Sequence, residues 1–231
     1  TPEIIATQLP LLNYEHVPIG ENNIERLTEL ARWFPPEDVG FYLQLAWSPD
    51  SQHIAVGMTG SGGVRILNAS NGETEQILDE YVTPDSLAWS PDGKSLAIGS
   101  LYPDETPSQY AIHIVNTSTW DLNLALSGHI DDVVGLEYSP DGSLLASASH
   151  DGTGRIWDVS SGDVIAVIDI PLGPGNPAVD ISWSGDGSQV AVAAANGIYL
   201  SILTLIEPLI FTQREPLLDS RTFPKNECDG H

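Results

Sequence analysis

The chain has 231 residues, and 32 Asp and Glu side chains against 8 Lys and Arg give a formal net charge of −24 at pH 7. Because nucleic acid and anionic membranes would repel such a chain, this charge argues against both as partners. A single cysteine, Cys228, excludes a disulfide framework and any multi-cysteine metal site, and no apolar run approaches the roughly 18–20 residues of a membrane span.

The first 23 residues carry no repeat pattern and are predicted to be an N-terminal extension. Between Glu21 and Arg32 the apolar spacing fits one face of a helix, so a short helical turn is predicted near residues 21–26. Thr1 in place of Met indicates a processed chain or a piece of a longer one. The cellular compartment has two alternatives: the protein is cytoplasmic, or it is exported and its signal peptide was removed before Thr1.

One short phrase of sequence, read first as Ala-Trp-Ser-Pro-Asp at residues 46–50, occurs four times. Its aromatic residues are spaced 42, 49 and 45 residues apart, at Trp47, Trp89, Tyr138 and Trp183. A fainter copy begins at Leu218 and is a possible start of a fifth repeat. Such a period is the signature of a repeat architecture.

Each phrase is predicted to be a strand that runs into a tight turn. Apolar residues alternate before the turn, which marks a strand, and Ser-Pro-Asp-Gly supplies the turn. The strand after the turn is almost uncharged, as in sheets buried on both faces. Second strands are predicted at 54–57, 96–99, 144–147 and 190–193, third strands at 64–67, 111–115, 153–157 and 197–200, and fourth strands near 74–78, 122–126, 164–168 and 208–211.

Four strands in each unit of about 40–45 residues, with both faces buried, are typical of a β-propeller blade. The predicted fold is therefore all-β, with four four-stranded blades in an incomplete or truncated propeller. An immunoglobulin-like sandwich is the alternative, but it leaves the repeated phrase unexplained. The predicted boundaries are blade 1 at 41–78, blade 2 at 79–126, blade 3 at 127–169, blade 4 at 170–213 and a tail at 214–231.

The third unit contains Gly128-His129, Asp151-Gly152 and Trp157-Asp158, and in these dipeptides it resembles the WD-repeat family of β-propellers. The resemblance covers roughly residues 41–211 and is looser in the other units, a decay seen in bacterial-looking chains of this type. The resemblance implies that residues 27–33 form an outer strand, within a segment at 24–40 that leads into blade 1. Pairing of such a strand with the last blade would remove an exposed sheet edge.

The resemblance also implies a structural relay inside the third blade. Its members would be His129, Ser147, Asp151 and Trp157, since a buried indole N–H needs an acceptor and a carboxylate can hold the imidazole tautomer. The same residue types occur in hydrolytic triads. No Gly-x-Ser-x-Gly turn exposes the serine, which favours the structural interpretation over catalysis. No metal site and no cofactor are predicted.

A candidate binding surface follows from the lengths of the connections between strands. The connection between second and third strands is seven residues longer in the second unit than in the third. On the same face as this loop lie the acidic residues of the connection before blade 3. The candidate residues, which would suit a basic partner, are Tyr102, Asp104, Glu105, Tyr110, Asp131 and Asp132.

The predicted function is a non-catalytic scaffold that binds a protein or peptide through loops at the blade faces, with a basic partner as the candidate. An alternative is an accessory or sensor domain of a larger enzyme or signalling protein. A hydrolase or lyase that uses the propeller funnel is the weakest hypothesis. Because an open series of blades exposes apolar faces that monomers avoid, the chain is also expected to be a truncated piece or to self-associate.

Overall fold

The computed structural model describes residues 42–59, 62–101, 110–170, 177–194 and 197–202. All of them belong to the larger of two compact units, Val39–His231, while the smaller unit is Thr1–Asp38. The predicted N-terminal extension, helical turn and outer strand, and the tail after residue 213, lie outside the described residues.

Within these residues the regular elements are all strands. Fifteen are present: β1 (Tyr42–Trp47), β2 (His53–Met58), β3 (Gly63–Asn68), β4 (Thr74–Leu78), β5 (Val82–Trp89), β6 (Ser95–Leu101), β7 (Ile112–Asn116), β8 (Leu122–Leu126), β9 (Val133–Tyr138), β10 (Leu144–Ser149), β11 (Thr153–Asp158), β12 (Val164–Asp169), β13 (Ala178–Trp183), β14 (Gln189–Ala194) and β15 (Gly197–Ile202). No helix in the described part of the chain has the length and apolar character needed to cross a membrane.

The strands form four antiparallel sheets in which neighbours along the chain pair in order. Blade 1 is β1–β4, blade 2 is β5–β8, blade 3 is β9–β12 and blade 4 is β13–β15. This arrangement confirms the predicted all-β fold of antiparallel sheets in series. Blade 4 has three described strands, and the fourth strand predicted near residues 208–211 falls outside the described residues.

The repeated phrase forms the turn between the first two strands of each blade. In blade 2 the Ser90 hydroxyl donates to Asp92 at 2.7 Å, the Lys94 amide donates to the same carboxylate at 3.0 Å, and Gly93 has φ 71°. Serine hydroxyls and backbone amides lower the pKa of both Asp141 and Asp186 to about 2. The turn aspartates therefore stay ionised and stabilise their own turns by accepting these hydrogen bonds.

Consecutive blades pack face to face through three apolar clusters. The first cluster joins blades 1 and 2 through residues such as Ile66 and Leu87, and the second joins blades 2 and 3. The third joins blades 3 and 4 around Ile181. Glycine allows the first strands to approach closely, since a Cβ on Gly135 would lie 3.1 Å from the Asp180 Cα. Gly135 therefore serves the contact between blades 3 and 4.

The aromatic residue of the repeated phrase also links one blade to the blade before it. The Trp89 indole N–H donates to the Ala46 carbonyl at 3.1 Å, and the Trp183 indole N–H donates to the Glu137 carbonyl at 3.1 Å. Tyr138 holds the same position in blade 3, but its buried hydroxyl has no hydrogen-bond partner in the part of the chain described. This link between blades was not predicted from the sequence, because its acceptors are backbone carbonyls.

Blades 1 and 4 expose large apolar side chains, and those of Leu45, Trp47 and Ile198 have buried counterparts at the interfaces between blades. On β1, Leu45 is 61% exposed and Trp47 is 54% exposed, whereas Trp183 at the equivalent position is 7% exposed. On blade 4, Val179 and Ile198 are exposed. These are sheet faces of the kind that blades bury against one another.

Candidate functional site

The predicted binding surface falls partly within the described residues. Tyr102, Asp104 and Glu105 lie outside them, and Tyr110 is half-buried just before β7. Asp131 and Asp132 are half-buried on the connection between β8 and β9. Of the candidate binding residues, the acidic pair Asp131 and Asp132 is therefore the part whose contacts the structure describes.

Two further residues, not predicted from the sequence as binding residues, lie beside this acidic pair. His150, at the end of β10, donates its backbone N–H to the Asp132 carbonyl at 2.9 Å, and its Nδ1 lies 4.0 Å from Asp132 Oδ2. Asp85 on β5 is close enough for the charge of Asp132 to act on it. We call Asp85, Asp131, Asp132 and His150 the acidic face.

The acidic face places a carboxylate in an unfavourable environment. Burial raises the pKa of Asp85, the negative charge of Asp132 raises it further, and His150 acts in the opposite direction. A positive charge brought to this face would lower the pKa of Asp85 and favour its ionised form. The face is thus suited to a cationic group of a partner.

Three members of the acidic face have side chains of the types that ligate metals. One potential ligand atom from each of Asp131, Asp132 and His150 lies within 4.8 Å of the others. Half-buried and exposed groups on two connections do not by themselves define a coordination geometry. We therefore assign no metal chemistry to them.

The four relay residues are joined into one chain of hydrogen bonds inside blade 3. The Trp157 indole N–H donates to Ser147 Oγ at 2.8 Å, and Ser147 Oγ lies 2.8 Å from His129 Nε2. His129 Nδ1 lies 2.8 Å from Asp151 Oδ2. With Nδ1 protonated, every donor in the chain has an acceptor, and Asp151 also accepts from the Thr153 hydroxyl and backbone N–H.

The protonation states of the relay follow from its burial. Burial lowers the pKa of His129 although the hydrogen bond to Asp151 opposes this shift, so the imidazole is neutral at pH 7. Burial would raise the pKa of Asp151, but hydrogen bonds from His129 and Thr153 outweigh it and hold that pKa well below its usual range. Because unfolded histidine takes up a proton near pH 6.5, the relay contributes less stability as pH falls below that value.

The relay is closed to substrates. The Ser147 and Trp157 side chains are fully buried, and His129 is 3% exposed. A nucleophile must meet its substrate within hydrogen-bond reach, and no solvent path to Ser147 is open among the described residues of this blade. The geometry thus supports a structural role for these four residues.

Residues 120–158 match the family described as WD domain, G-beta repeat. A Neurospora crassa protein named Periodic tryptophan protein 2 homolog is 31% identical over 99 residues, 43% of this chain and 11% of that protein. A mouse protein named as a subunit of Chromatin assembly factor 1 is 28% identical over 163 residues, 71% of this chain and 23% of that protein. Mouse Apoptotic protease-activating factor 1 is 41% identical over 73 residues, 27% of this chain and 6% of that protein.

The chain thus spans less than a quarter of the length of each of these three relatives. The matched family segment contains all four relay residues, which agrees with the sequence analysis in making the third unit the most typical repeat. These relatives come from a fungus and a mouse, so they lend no support to a bacterial character.

Proposed function

We propose, on the premise that these sheets are consecutive WD-type blades, that the chain is a non-catalytic scaffold that binds a protein or peptide. The partner would place basic side chains against the acidic face. Tyr102, Asp104, Glu105 and Tyr110 of the long connection in blade 2 would add contacts on the same side. Rigid sheets that hold such connections in place are well suited to recognition.

The observation that carries this proposal is that Asp85 of blade 2 lies close to the acidic pair Asp131 and Asp132 of blade 3. Two aspartates within range of each other, one of them with a raised pKa, are an arrangement that a bound cation would stabilise. The net charge of −24 also attracts a basic partner at long range and speeds its association. The name of one mouse relative, which describes it as part of an assembly factor, supports a role within a complex.

Removing the charges of the acidic face should weaken the binding of a basic peptide more than removing two charges elsewhere. The probe is a labelled Gly-Lys-Gly-Arg-Gly-Lys-Gly peptide, titrated by fluorescence anisotropy. Asp131→Asn with Asp132→Asn is expected to raise Kd about tenfold, which corresponds to about 1.4 kcal/mol. The affinity of the unchanged chain should also fall as salt is added.

The matched control changes Asp79 and Asp163 to Asn, two exposed aspartates outside the acidic face. It alters net charge by the same amount and is expected to raise Kd less than twofold. Equal weakening by both double variants would show that total charge, and not this face, binds the peptide.

We also propose that the exposed face of blade 1 binds blade 4 of a second copy of this chain. Trp47 holds the position from which Trp89 and Trp183 donate to the preceding blade. Ser182 holds the position of the carbonyls that accept those bonds, one residue before the aromatic. Continuity of the blade interface and the exposed apolar side chains on both faces support this pairing.

Sedimentation equilibrium tests the pairing. A dimer is expected for the unchanged chain, and Trp47→Lys should give a monomer because it places a charge in the interface. Leu122→Lys is the control, since Leu122 is 53% exposed on the outer strand of blade 2. A monomeric unchanged chain, or the same loss of dimer in both variants, would contradict the pairing.

A further inference from the structure

A cavity of about 600 Å³ lies between blades 1 and 2, beside the turns formed by the repeated phrase. Its lining includes three aromatic rings and three carboxylates, from His53, Trp89, Trp120, Asp50, Glu75 and Asp92. Because turns between first and second strands lie at the opposite end of a blade from its entering connection, the cavity is separate from the acidic face.

Aromatic rings form one wall of this cavity in a fixed arrangement. The His53 ring is stacked on Trp89 with centroids 6.4 Å apart, and Trp120 meets Trp89 edge to face at 6.3 Å. The Trp89 indole cannot turn freely, because its N–H is bonded to the Ala46 carbonyl. Part of its ring surface remains open to the cavity, since Trp89 is only half-buried.

Carboxylates surround the aromatic wall. Glu75 Oε2 lies 3.1 Å from His53 Nε2, and Glu75 Oε1 accepts from the Asn68 side-chain amide at 2.8 Å. Asp50 and Asp92 come from the two adjoining turns, and the exposed Lys94 ammonium lies 3.2 Å from Asp92. The Glu75 carboxylate is therefore held in a set orientation beside the indole rings.

The same region is filled at the interface between blades 3 and 4. There the positions of His53, Glu75 and Gln76 are taken by Leu144, Ile165 and Ala166, which pack in one apolar cluster with Trp183. That indole is buried, whereas Trp89 is half-buried. The cavity is thus a feature of particular residues at one interface and not of the repeat itself.

Trp120 adopts a backbone conformation that its residue type disfavours. Its φ is 63°, and its N–H donates to the Asn116 carbonyl. In the same turn of blades 1 and 3 the equivalent residues are Gly72 and Gly162, with φ 71° and 81°. A large aromatic residue is costly there, and such strain is found where a side chain serves a site.

We propose that this cavity binds the guanidinium group of an arginine side chain presented by a protein or peptide partner. The guanidinium plane would stack on the Trp120 ring, with the Trp89 ring at 81° to it forming the adjacent wall, and its N–H groups would donate to Glu75. A guanidinium group is a planar cation with several N–H donors, so it is complementary to a cavity that combines aromatic rings, an oriented carboxylate and further negative charges. A Gly at position 120 would relieve the backbone strain but would also remove part of the aromatic wall.

Binding is measured on the full chain with the peptide Gly-Gly-Arg-Gly-Gly, blocked at both ends, against otherwise identical peptides with citrulline or Lys. Indole N–H resonances of Trp89 and Trp120 report occupancy in two-dimensional NMR. We expect both resonances to shift with Arg, to shift much less with Lys and to stay unchanged with the uncharged citrulline. Equal shifts with citrulline or with Lys would overturn the assignment to arginine.

Two variants locate the site. Trp120→Gly is expected to abolish saturable binding without unfolding the chain, because Gly suits φ 63° and this offsets part of the packing lost with the indole. Glu75→Gln should weaken binding about tenfold, as expected for loss of one charge-assisted contact. Preserved binding in either variant would overturn the proposal.

The control is Asp163→Asn, an exposed carboxylate in the equivalent turn of blade 3. It should leave the peptide affinity unchanged, and so should the double variant of the acidic face. Equal weakening by Asp163→Asn and Glu75→Gln would show attraction by net charge alone and overturn the site. Because the acidic face is tested with its own variants, failure here leaves the scaffold proposal standing.

Discussion

Replacing Trp157 by Phe is expected to lower the free energy of unfolding by about 1–3 kcal/mol. The variant leaves the fully buried Ser147 hydroxyl without its indole donor and opens a void where the larger ring packed. Asp151→Ala is expected to cost a similar amount, because it removes the acceptor of His129, of the Ile130 amide and of Thr153. Urea unfolding followed by far-ultraviolet circular dichroism measures both.

The structure also supplies a matched control for the aromatic variant. Tyr138→Phe removes a buried hydroxyl that has no hydrogen-bond partner among the described residues, so it is expected to be neutral or stabilising. For the acidic variant the control is Asp163→Ala, an exposed residue. If each relay variant unfolds at the same urea concentration as its control, the relay does not stabilise this blade.

Ser149, two residues after Ser147 on β10, does not provide a neutral comparison for the relay serine. Its hydroxyl donates to the Asp131 carbonyl and accepts from the Asp151 backbone N–H, both at 3.0 Å. Ser149→Ala therefore breaks two buried contacts of its own. A loss of stability in that variant would not count against the assignment of Ser147 to the relay.

Gly99→Ala is expected to destabilise the chain by about 1–3 kcal/mol through overpacking between blades 2 and 3. A Cβ at Gly99 would overlap the Ser86 hydroxyl and lie 2.9 Å from the Val133 carbonyl oxygen. Ser86 donates to that carbonyl at 2.7 Å across the interface and is 1% exposed. The added methyl group therefore has to displace the serine, break its bond and push the two sheets apart.

Gly185→Ala is the control for this substitution, because a Cβ there meets no atom within 4 Å. Its expected effect lies between neutral and a gain of about 0.4–1 kcal/mol, since alanine restricts the unfolded chain. Thermal unfolding of the two variants side by side separates the packing effect from the general effect of replacing glycine. A fall in stability shared equally by both would contradict close packing at Gly99.

Much of the fold could be predicted because its signals are local. Alternation with a period of two, the Ser-Pro-Asp-Gly turn and the spacing of the aromatic residues depend on neighbours along the chain. The relay residues were implied by the resemblance of the third unit to the WD-repeat family, and one repeat contains all four of them. The strand pattern of one blade is thus contained within about 40 residues.

The sites between blades could not be predicted in the same way. Asp85 is 47 residues before Asp132, and only the packing of blade 2 against blade 3 brings the two together, whereas His150 meets Asp132 inside blade 3. The role of Trp89 as a donor to Ala46 is equally hidden, because its acceptor is a backbone carbonyl 43 residues away. Backbone acceptors carry no signal in the residue type.

The sequence alone therefore determined the strands and their turns, and the family resemblance implied the relay residues, while the tertiary structure decided which side chains meet across blades. The cavity beside Trp89 exists because His53, Glu75 and Gln76 replace residues that fill the equivalent space between blades 3 and 4. Each of these polar residues alone is typical of an ordinary solvated strand position. Their joint effect depends on the distance and angle at which two sheets pack, which no local pattern encodes.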